Sequence, residues 1–287
     1  MKIKLRDYQI EAVRFAKEVK KCLFCMRVGS GKTICAMFAL RSFFKHKMID
    51  KAVIACTKSS VPVFVEDFKE KANIDVPVIE TPNDFVGFFK GKDRVCIIKH
   101  SMFEKAGNDI MTVKKLEKIY DSGLKVALVI DEAHKIQNPE GVAHDAFFHF
   151  HEMFDRVILM TATPYSSCLS QFYGLIHLIY PTLWKSKRQF FNDHIDEITI
   201  RDPKTHRVVR KEKVAYKNLK EFRAKIEPFT YFYYPSIPLV HISHETRLSE
   251  EHYKEYLRLC WGCIDSETQE KINKLELGFK RVKRESK

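Results

Sequence analysis

The clearest structural signal in this chain is the stretch KCLFCMRVGSGKTICAMFALRSFF, residues 21–44. It opens with a short apolar run typical of a buried β-strand and closes with apolar residues at helical spacing. Two glycines separate the two halves, where the backbone has to turn sharply. A strand, a glycine turn and a helix in this order predict the first unit of an α/β domain.

Further apolar runs rich in β-branched residues follow along the chain: AVIAC, RVCIIK, LKVALVI and RVILM. Segments with helical spacing, including YQIEAVRFAKEV and VPVFVEDFKEK, alternate with them. Unbroken apolar strands are typical of a parallel sheet covered on both faces. The chain is therefore predicted to form a parallel α/β sheet flanked by helices, whose ligands gather at the carboxyl ends of the strands.

The pattern changes after about residue 185. The stretch EITIRDPKTHRVVRKEKVAY predicts a β-hairpin with Asp202 and Pro203 at its turn, and LSEEHYKEYLRL predicts a helix with Ser249 as N-cap. The last residues are basic. Three parts are expected: an α/β lobe at 1–185, a helical and hairpin extension packed on it at 186–263, and a basic tail at 264–287.

Basic residues exceed acidic ones, 50 to 37, which gives a formal net charge of +13. Such an excess favours a polyanionic partner, and nucleic acid is the usual one because protein cations release its condensed counterions. A merely basic soluble protein is the alternative that charge alone leaves open.

The eight cysteines lie in apolar runs, and no apolar run reaches the ~20 residues that span a bilayer. We therefore expect no membrane association and a reduced, cytoplasmic setting, or the nucleus if the source is eukaryotic. Two CxxC pairs, Cys22/Cys25 and Cys260/Cys263, could together ligate zinc. The first pair argues against it, because residues three apart in a strand point to opposite faces.

The glycine turn has the composition of a phosphate-binding loop. Backbone N–H groups around Gly29 and Gly31 can surround phosphate oxygens, Lys32 can neutralise their charge, and Thr33 can ligate Mg²⁺. The intervening Val28 and Ser30 belong to the same loop, and Met26 replaces the first glycine of the strict pattern. The alternative is a glycine turn with a lysine by chance.

Two later strands also end in polar residues. In LVIDEAH, Asp131 is suited to hold Mg²⁺, Glu132 to deprotonate an attacking water, and His134 to relay the nucleotide state. In LMTATPY, Thr161 and Thr163 present hydroxyls where His134 is expected to lie. A threonine-rich turn without function is the alternative for this second segment.

Taken in order, LRDYQ, GSGKT, ACTKSSVPVFVEDFKE, IIKHSMF, DEAH and TATP resemble the superfamily 2 helicases, and more narrowly the Swi/Snf-type ATPases. The segments KIQNPEGVAHDAF, SQFYGLIHLIYP and LSEEHYKEYLRL extend the resemblance over roughly residues 5–260. It implies a RecA-like fold, ATP and Mg²⁺ as ligands, and DNA rather than RNA as partner.

The resemblance also implies roles for single residues. Arg6 and Gln9 would recognise adenine, although Gln9 alone reads as an exposed helix residue. The residues that would contact the nucleic-acid backbone are Thr57, Lys58, His100 and Ser101, and those that would couple hydrolysis to that contact are His134, Thr161 and Thr163. The sequence departs from the family at Thr57, where proline is usual, and at YFYYPS, where paired arginines are common.

The family's motors contain a second RecA-like lobe, and this chain ends where that lobe is expected to begin. Either the chain is a fragment or another polypeptide completes it. We expect an ATP-binding lobe of a DNA-dependent helicase or translocase that hydrolyses ATP weakly alone. The alternatives are a nucleic-acid-binding regulatory subunit with ATP as a switch ligand, and a small-molecule kinase, against which DEAH and TATP count.

Overall fold

A computed structural model describes residues 4–164, 169–201 and 208–234. Several sequence features lie outside these residues: the Asp202–Pro203 turn, Tyr165, the segment that begins at Ser249, the Cys260/Cys263 pair and the basic tail. None of the helices in the described ranges has the length and apolar character that crossing a membrane requires.

The described strands form one large sheet and one hairpin. The sheet strands are β1 (Lys21–Met26), β2 (Lys51–Cys56), β3 (Val78–Ile79), β4 (Val95–Lys99), β5 (Val126–Ile130), β6 (Arg156–Thr161) and β9 (Thr230–Tyr233). The hairpin strands are β7 (Ile195–Arg201) and β8 (Val208–Tyr216), which pair antiparallel as the sequence predicts. The large sheet is parallel throughout, in the order β3-β4-β2-β5-β6-β1-β9.

The described helices are α1 (Asp7–Glu18), α2 (Lys32–Lys45), α3 (Val61–Asp67), α4 (Pro82–Lys90), α5 (Ser101–Gly107), α6 (Ile110–Asp121), α7 (Val142–Phe150), α8 (Ser170–Ile179), α9 (Lys187–His194) and α10 (Leu219–Ile226). The local sequence explains why α4 and α9 begin where they do. Thr81 accepts a hydrogen bond from the Asp84 N–H and Pro82 follows it, while Ser186 accepts from the Gln189 N–H. Such caps satisfy N–H groups that the first helical turn leaves without partners.

Two hydrophobic cores cover the two faces of the sheet, as the apolar strands predict. Alternate residues of β1 divide between them: Leu23 and Cys25 enter one core, and Cys22, Phe24 and Met26 enter the other. Cys22 and Cys25 therefore point to opposite faces, which excludes them as joint ligands of one zinc ion. Burial raises the pKa of both thiols, so they remain protonated and apolar.

Strand β9 joins the sheet beside β1, in the register Leu23↔Thr230 to Met26↔Tyr233. The sequence marked this segment only as aromatic and proline-interrupted. Its threonine and tyrosines have high strand propensity, and an edge position tolerates a proline soon after the strand. The expected lobe boundary at residue 185 stays a prediction, but the last strand of the sheet lies beyond it.

Candidate active site

Three turns that the sequence singled out leave the same edge of the sheet. They follow β1, β6 and β5, which are consecutive neighbours in the sheet. Because the carboxyl ends of parallel strands share one edge, the fold brings GSGKT, TATP and DEAH together. We call residues 26–33 the phosphate loop and residues 131–134 the DEAH turn.

The phosphate loop bends sharply at its glycines. Gly29 and Gly31 have φ of 77° and 79°, the left-handed region that favours glycine, and Gly31 is the N-cap of α2. The Ser30 Oγ donates to the Arg27 carbonyl at 2.6 Å, and the Lys32 Nζ donates to the Met26 carbonyl at 3.3 Å. The lysine thus lies over its own loop, at the start of a helix whose N–H groups favour an anion.

Gln9 lies against this loop and is only 7% exposed, so its interpretation as an exposed helix residue is wrong. Its Nε2 donates to the Ser30 carbonyl and its Oε1 accepts from the Arg6 N–H, both at 3.0 Å. One N–H and one lone pair of the amide remain for a ligand. Arg6 directly precedes α1, and Val28 is 77% exposed at the outside of the loop.

Sequence reasoning missed a second residue at this carbonyl. The Tyr8 hydroxyl also donates to the Ser30 oxygen, at 3.0 Å. The available signal was its place beside Gln9 in LRDYQ, the segment to which the family resemblance assigns adenine recognition.

Asp131 lies at the end of β5, only 9% exposed, and its N–H donates to the Ala55 carbonyl at 2.9 Å. Burial raises the pKa of its carboxyl, and the charge of Glu132 adds to the rise. A hydrogen bond from the Glu132 N–H, the charge of Lys32 and a hydrogen bond with Ser60 oppose it. Lys32 therefore acts electrostatically on Asp131 across the edge of the sheet, and any bound cation would act in the same direction.

The DEAH turn connects to the TATP segment through His134. The Nδ1 of its ring lies 3.2 Å from the Thr161 Oγ1 and 3.2 Å from the Glu132 Oε2. Burial lowers the pKa of His134, which favours the neutral ring. The Thr163 N–H donates to the Thr161 Oγ1 at 3.1 Å, so one chain of contacts runs from Glu132 to Thr163.

The candidate nucleic-acid residues lie at the ends of β2 and β4. Thr57 contacts the hydroxyls of Ser59 and Ser60 at 3.0 and 2.8 Å, and Lys58 is exposed beside it. Ser101 is exposed at the start of α5. His100 differs from the other three: its Nε2 lies 2.9 Å from the Asp131 carbonyl, and burial lowers its pKa.

No cluster of three or more histidine, cysteine, aspartate or glutamate ligands occurs in the described part of the chain. A magnesium ion in a phosphate site does not need one, because phosphate oxygens and water supply most of its ligands. A single carboxylate and a hydroxyl, such as those of Asp131 and Thr33, fit that chemistry.

The SNF2-related domain family matches residues 8–231, a span that includes all three turns. This chain belongs to the SNF2-related family.

Curated relatives share modest identity with this chain. A mouse chromodomain-helicase-DNA-binding protein 1-like is 21% identical over 285 residues, covering 94% of this chain and 30% of its own length. An ATP-dependent helicase of Bacillus subtilis strain 168, YqhH, is 25% identical over 170 residues, covering 59% and 28%. Human chromodomain-helicase-DNA-binding protein 1 is 21% identical over 204 residues, covering 67% and 12%. The chain thus spans less than a third of these relatives.

A solved structure of similar fold is the Sulfolobus solfataricus SWI2/SNF2 ATPase core in complex with dsDNA. It superposes with a TM-score of 0.59 at 18% identity, over 81% of this chain and 45% of that one. The likeness confirms the RecA-like α/β fold. The chain spans less than half of that core.

Proposed function

We propose that this chain is the ATP-binding lobe of a DNA-dependent ATPase of the helicase or translocase type. The observation that carries the proposal is the meeting of the phosphate loop and the DEAH turn at one sheet edge, where the charge of Lys32 opposes the rise in the pKa of Asp131. A lysine, a buried carboxylate and a second carboxylate at one edge of the sheet match the parts that phosphoryl transfer requires.

Each residue has a distinct task in this proposal. The phosphate loop and Lys32 bind the β- and γ-phosphates, and Gln9 uses its remaining amide groups for the adenine edge. Thr33 and Asp131 would hold Mg²⁺, which neutralises phosphate charge. Glu132 orients and deprotonates the attacking water, and His134 with Thr161 transmits the change toward Thr163.

Full hydrolysis and movement require a second RecA-like lobe. Such a lobe supplies an arginine that stabilises charge on the γ-phosphate, worth ~10³–10⁵ in rate. The isolated lobe is therefore expected to bind ATP well and to hydrolyse it slowly. The second lobe would come from another chain or from a longer form of this one.

DNA is the proposed partner because a Swi/Snf-type core of similar fold was solved with dsDNA and because the net charge is +13. Thr57, Lys58, His100 and Ser101 follow strands at the same edge and are the proposed backbone contacts. The expected location is the cytoplasm of a bacterial or phage-infected cell, or the nucleus of a eukaryote.

The test combines nucleotide binding with turnover. Lys32→Ala should weaken binding of a fluorescent ATP analogue about 10- to 100-fold, since a charge-assisted contact with phosphate is lost. Lys45→Ala, at the exposed opposite end of α2, is the matched control and should bind like wild type.

Turnover is measured with duplex DNA, single-stranded DNA and RNA, by the chain alone and together with a separately expressed second lobe. Stimulation by duplex DNA in the assembled enzyme supports the proposal. Unchanged nucleotide affinity in Lys32→Ala would refute the loop assignment. ATP binding with negligible turnover in every assembly would leave a regulatory subunit with ATP as a switch ligand.

A further inference from the structure

Three tyrosines connect α1 with the edge strand β9. The rings of Tyr8 and Tyr233 stack nearly parallel, with centroids 3.7 Å apart and planes 10° from parallel. The Tyr231 hydroxyl donates to the Tyr8 carbonyl at 2.8 Å and also lies 3.2 Å from the Glu11 Oε2. We call Tyr8, Tyr231 and Tyr233 the tyrosine brace.

The brace contacts the phosphate loop at two points. At the entry, the Arg27 N–H donates to the Tyr233 carbonyl at 3.0 Å. In the middle of the loop, the Tyr8 hydroxyl donates to the Ser30 carbonyl at 3.0 Å. The two contact points are themselves linked, because the Ser30 Oγ donates to the Arg27 carbonyl at 2.6 Å.

These contacts orient a peptide group that matters for phosphate binding. The Ser30–Gly31 peptide is planar and trans, so its C=O and N–H point in opposite directions. Tyr8 and Gln9 both hold the Ser30 carbonyl toward α1. The Gly31 N–H must therefore point away from α1, at the N-terminus of α2 where an anion would bind.

We propose that Tyr8 and Tyr233 are positioning residues for the nucleotide, which hold the phosphate loop in its binding shape without contacting the ligand. The inference rests on the proposed ATP site and extends it to β9. A loop that is already ordered loses less conformational freedom on binding, so the brace raises nucleotide affinity. By linkage, bound nucleotide stabilises the pairing of β9 with the loop to the same degree.

Four variants separate the hydroxyl, the ring stack and general structural effects. Tyr8→Phe keeps the ring and removes the donor to Ser30, and it should weaken binding of the fluorescent ATP analogue about three- to tenfold. Tyr233→Leu removes the stack and should weaken binding by a similar factor. Tyr233→Phe keeps the stack, so its loss of affinity should be smaller than that of Tyr233→Leu. Tyr120→Phe, in an exposed position on α6, is the control.

Turnover and hydrogen exchange supply readouts that a purely structural role would not move. In the assembled enzyme, Tyr8→Phe should raise KM for ATP by the same factor while kcat changes less than twofold. In the wild-type chain, ATP should slow amide exchange in β9 as well as in the loop. Tyr8→Phe should reduce the slowing in β9 more than the slowing in the loop.

The outcomes distinguish the brace from the site on which it rests. If Lys32→Ala binds ATP as tightly as wild type, the proposed function fails. If Lys32→Ala loses affinity while folded Tyr8→Phe binds like wild type, the brace is refuted and the site stands. Should Tyr233→Leu fail to fold, as judged by circular dichroism and urea unfolding, Tyr8→Phe alone decides, because it preserves the stack.

Discussion

The phosphate loop and the DEAH turn lie at the same edge of one sheet, but their backbones differ. The first turn reaches positive φ at Gly29 and Gly31, where no side chain opposes it. The second reaches positive φ at Glu132, with φ of 47°, where a side chain is present. A left-handed conformation costs a non-glycine residue about 1–2 kcal/mol.

The chemistry of each turn explains the difference. The phosphate loop offers N–H groups and an ammonium, and glycine supplies N–H groups without steric hindrance. The DEAH turn offers carboxylates, and glycine cannot supply one. Strained backbone is retained where the surroundings hold it in place: the Lys135 N–H donates to the Glu132 carbonyl, and His134 contacts the Glu132 carboxylate.

Among the substitutions in the two turns, loss of the Glu132 carboxylate should have the largest effect on ATP turnover. Glu132→Gln should reduce turnover of the assembled enzyme about 10²- to 10⁴-fold, because the general base is lost, while ATP binding persists. Glu140→Gln, on the exposed surface, is the control. Wild-type turnover in Glu132→Gln would remove Glu132 from the role of base.

The two glycines of the phosphate loop allow a matched pair of alanine substitutions. Gly29→Ala and Gly31→Ala both place a side chain at positive φ and should each cost about 1–2 kcal/mol of unfolding free energy. An added Cβ at Gly31 would also lie 2.6 Å from the Gln9 Nε2, whereas at Gly29 no atom beyond the adjacent residues lies within 4 Å.

Urea unfolding and nucleotide titration should therefore both show a larger loss in Gly31→Ala than in Gly29→Ala. Equal losses would mean that Gln9 moves away freely and does not fix the loop.

The smallest expected effect concerns the burial of Asp131. Its pKa is raised in the folded state, so the folded protein disfavours the charged form. The resulting destabilisation is absent below the ordinary aspartate pKa of about 4 and is fully present above the raised folded pKa.

Asp131→Asn should therefore stabilise the nucleotide-free chain at neutral pH, and the gain should disappear in acid. Urea unfolding at several pH values measures it, with the exposed Asp121→Asn as control. A variant less stable than wild type at neutral pH would show that the contacts of the carboxylate outweigh its burial.

The sequence alone predicted the parallel sheet, the hairpin strands and the grouping of the three turns, because apolar strands and glycine turns are local patterns. It did not predict β9, whose partner Leu23 lies some two hundred residues earlier in the chain. It also missed the contact of Tyr8 with Ser30, since a tyrosine hydroxyl gives no periodic signal. His100 resembled a nucleic-acid residue from its motif, and its hydrogen bond with the Asp131 carbonyl depends on how β4 and β5 flank β2.

The central claim is that the phosphate loop and the DEAH turn hold one nucleotide through one magnesium ion. The most direct test compares the affinity of the fluorescent ATP analogue in Mg²⁺ and in EDTA, for wild type and for Asp131→Asn. We predict that Mg²⁺ tightens binding by wild type and that this gain is largely lost in Asp131→Asn. An equal gain from Mg²⁺ in both proteins would contradict the claim.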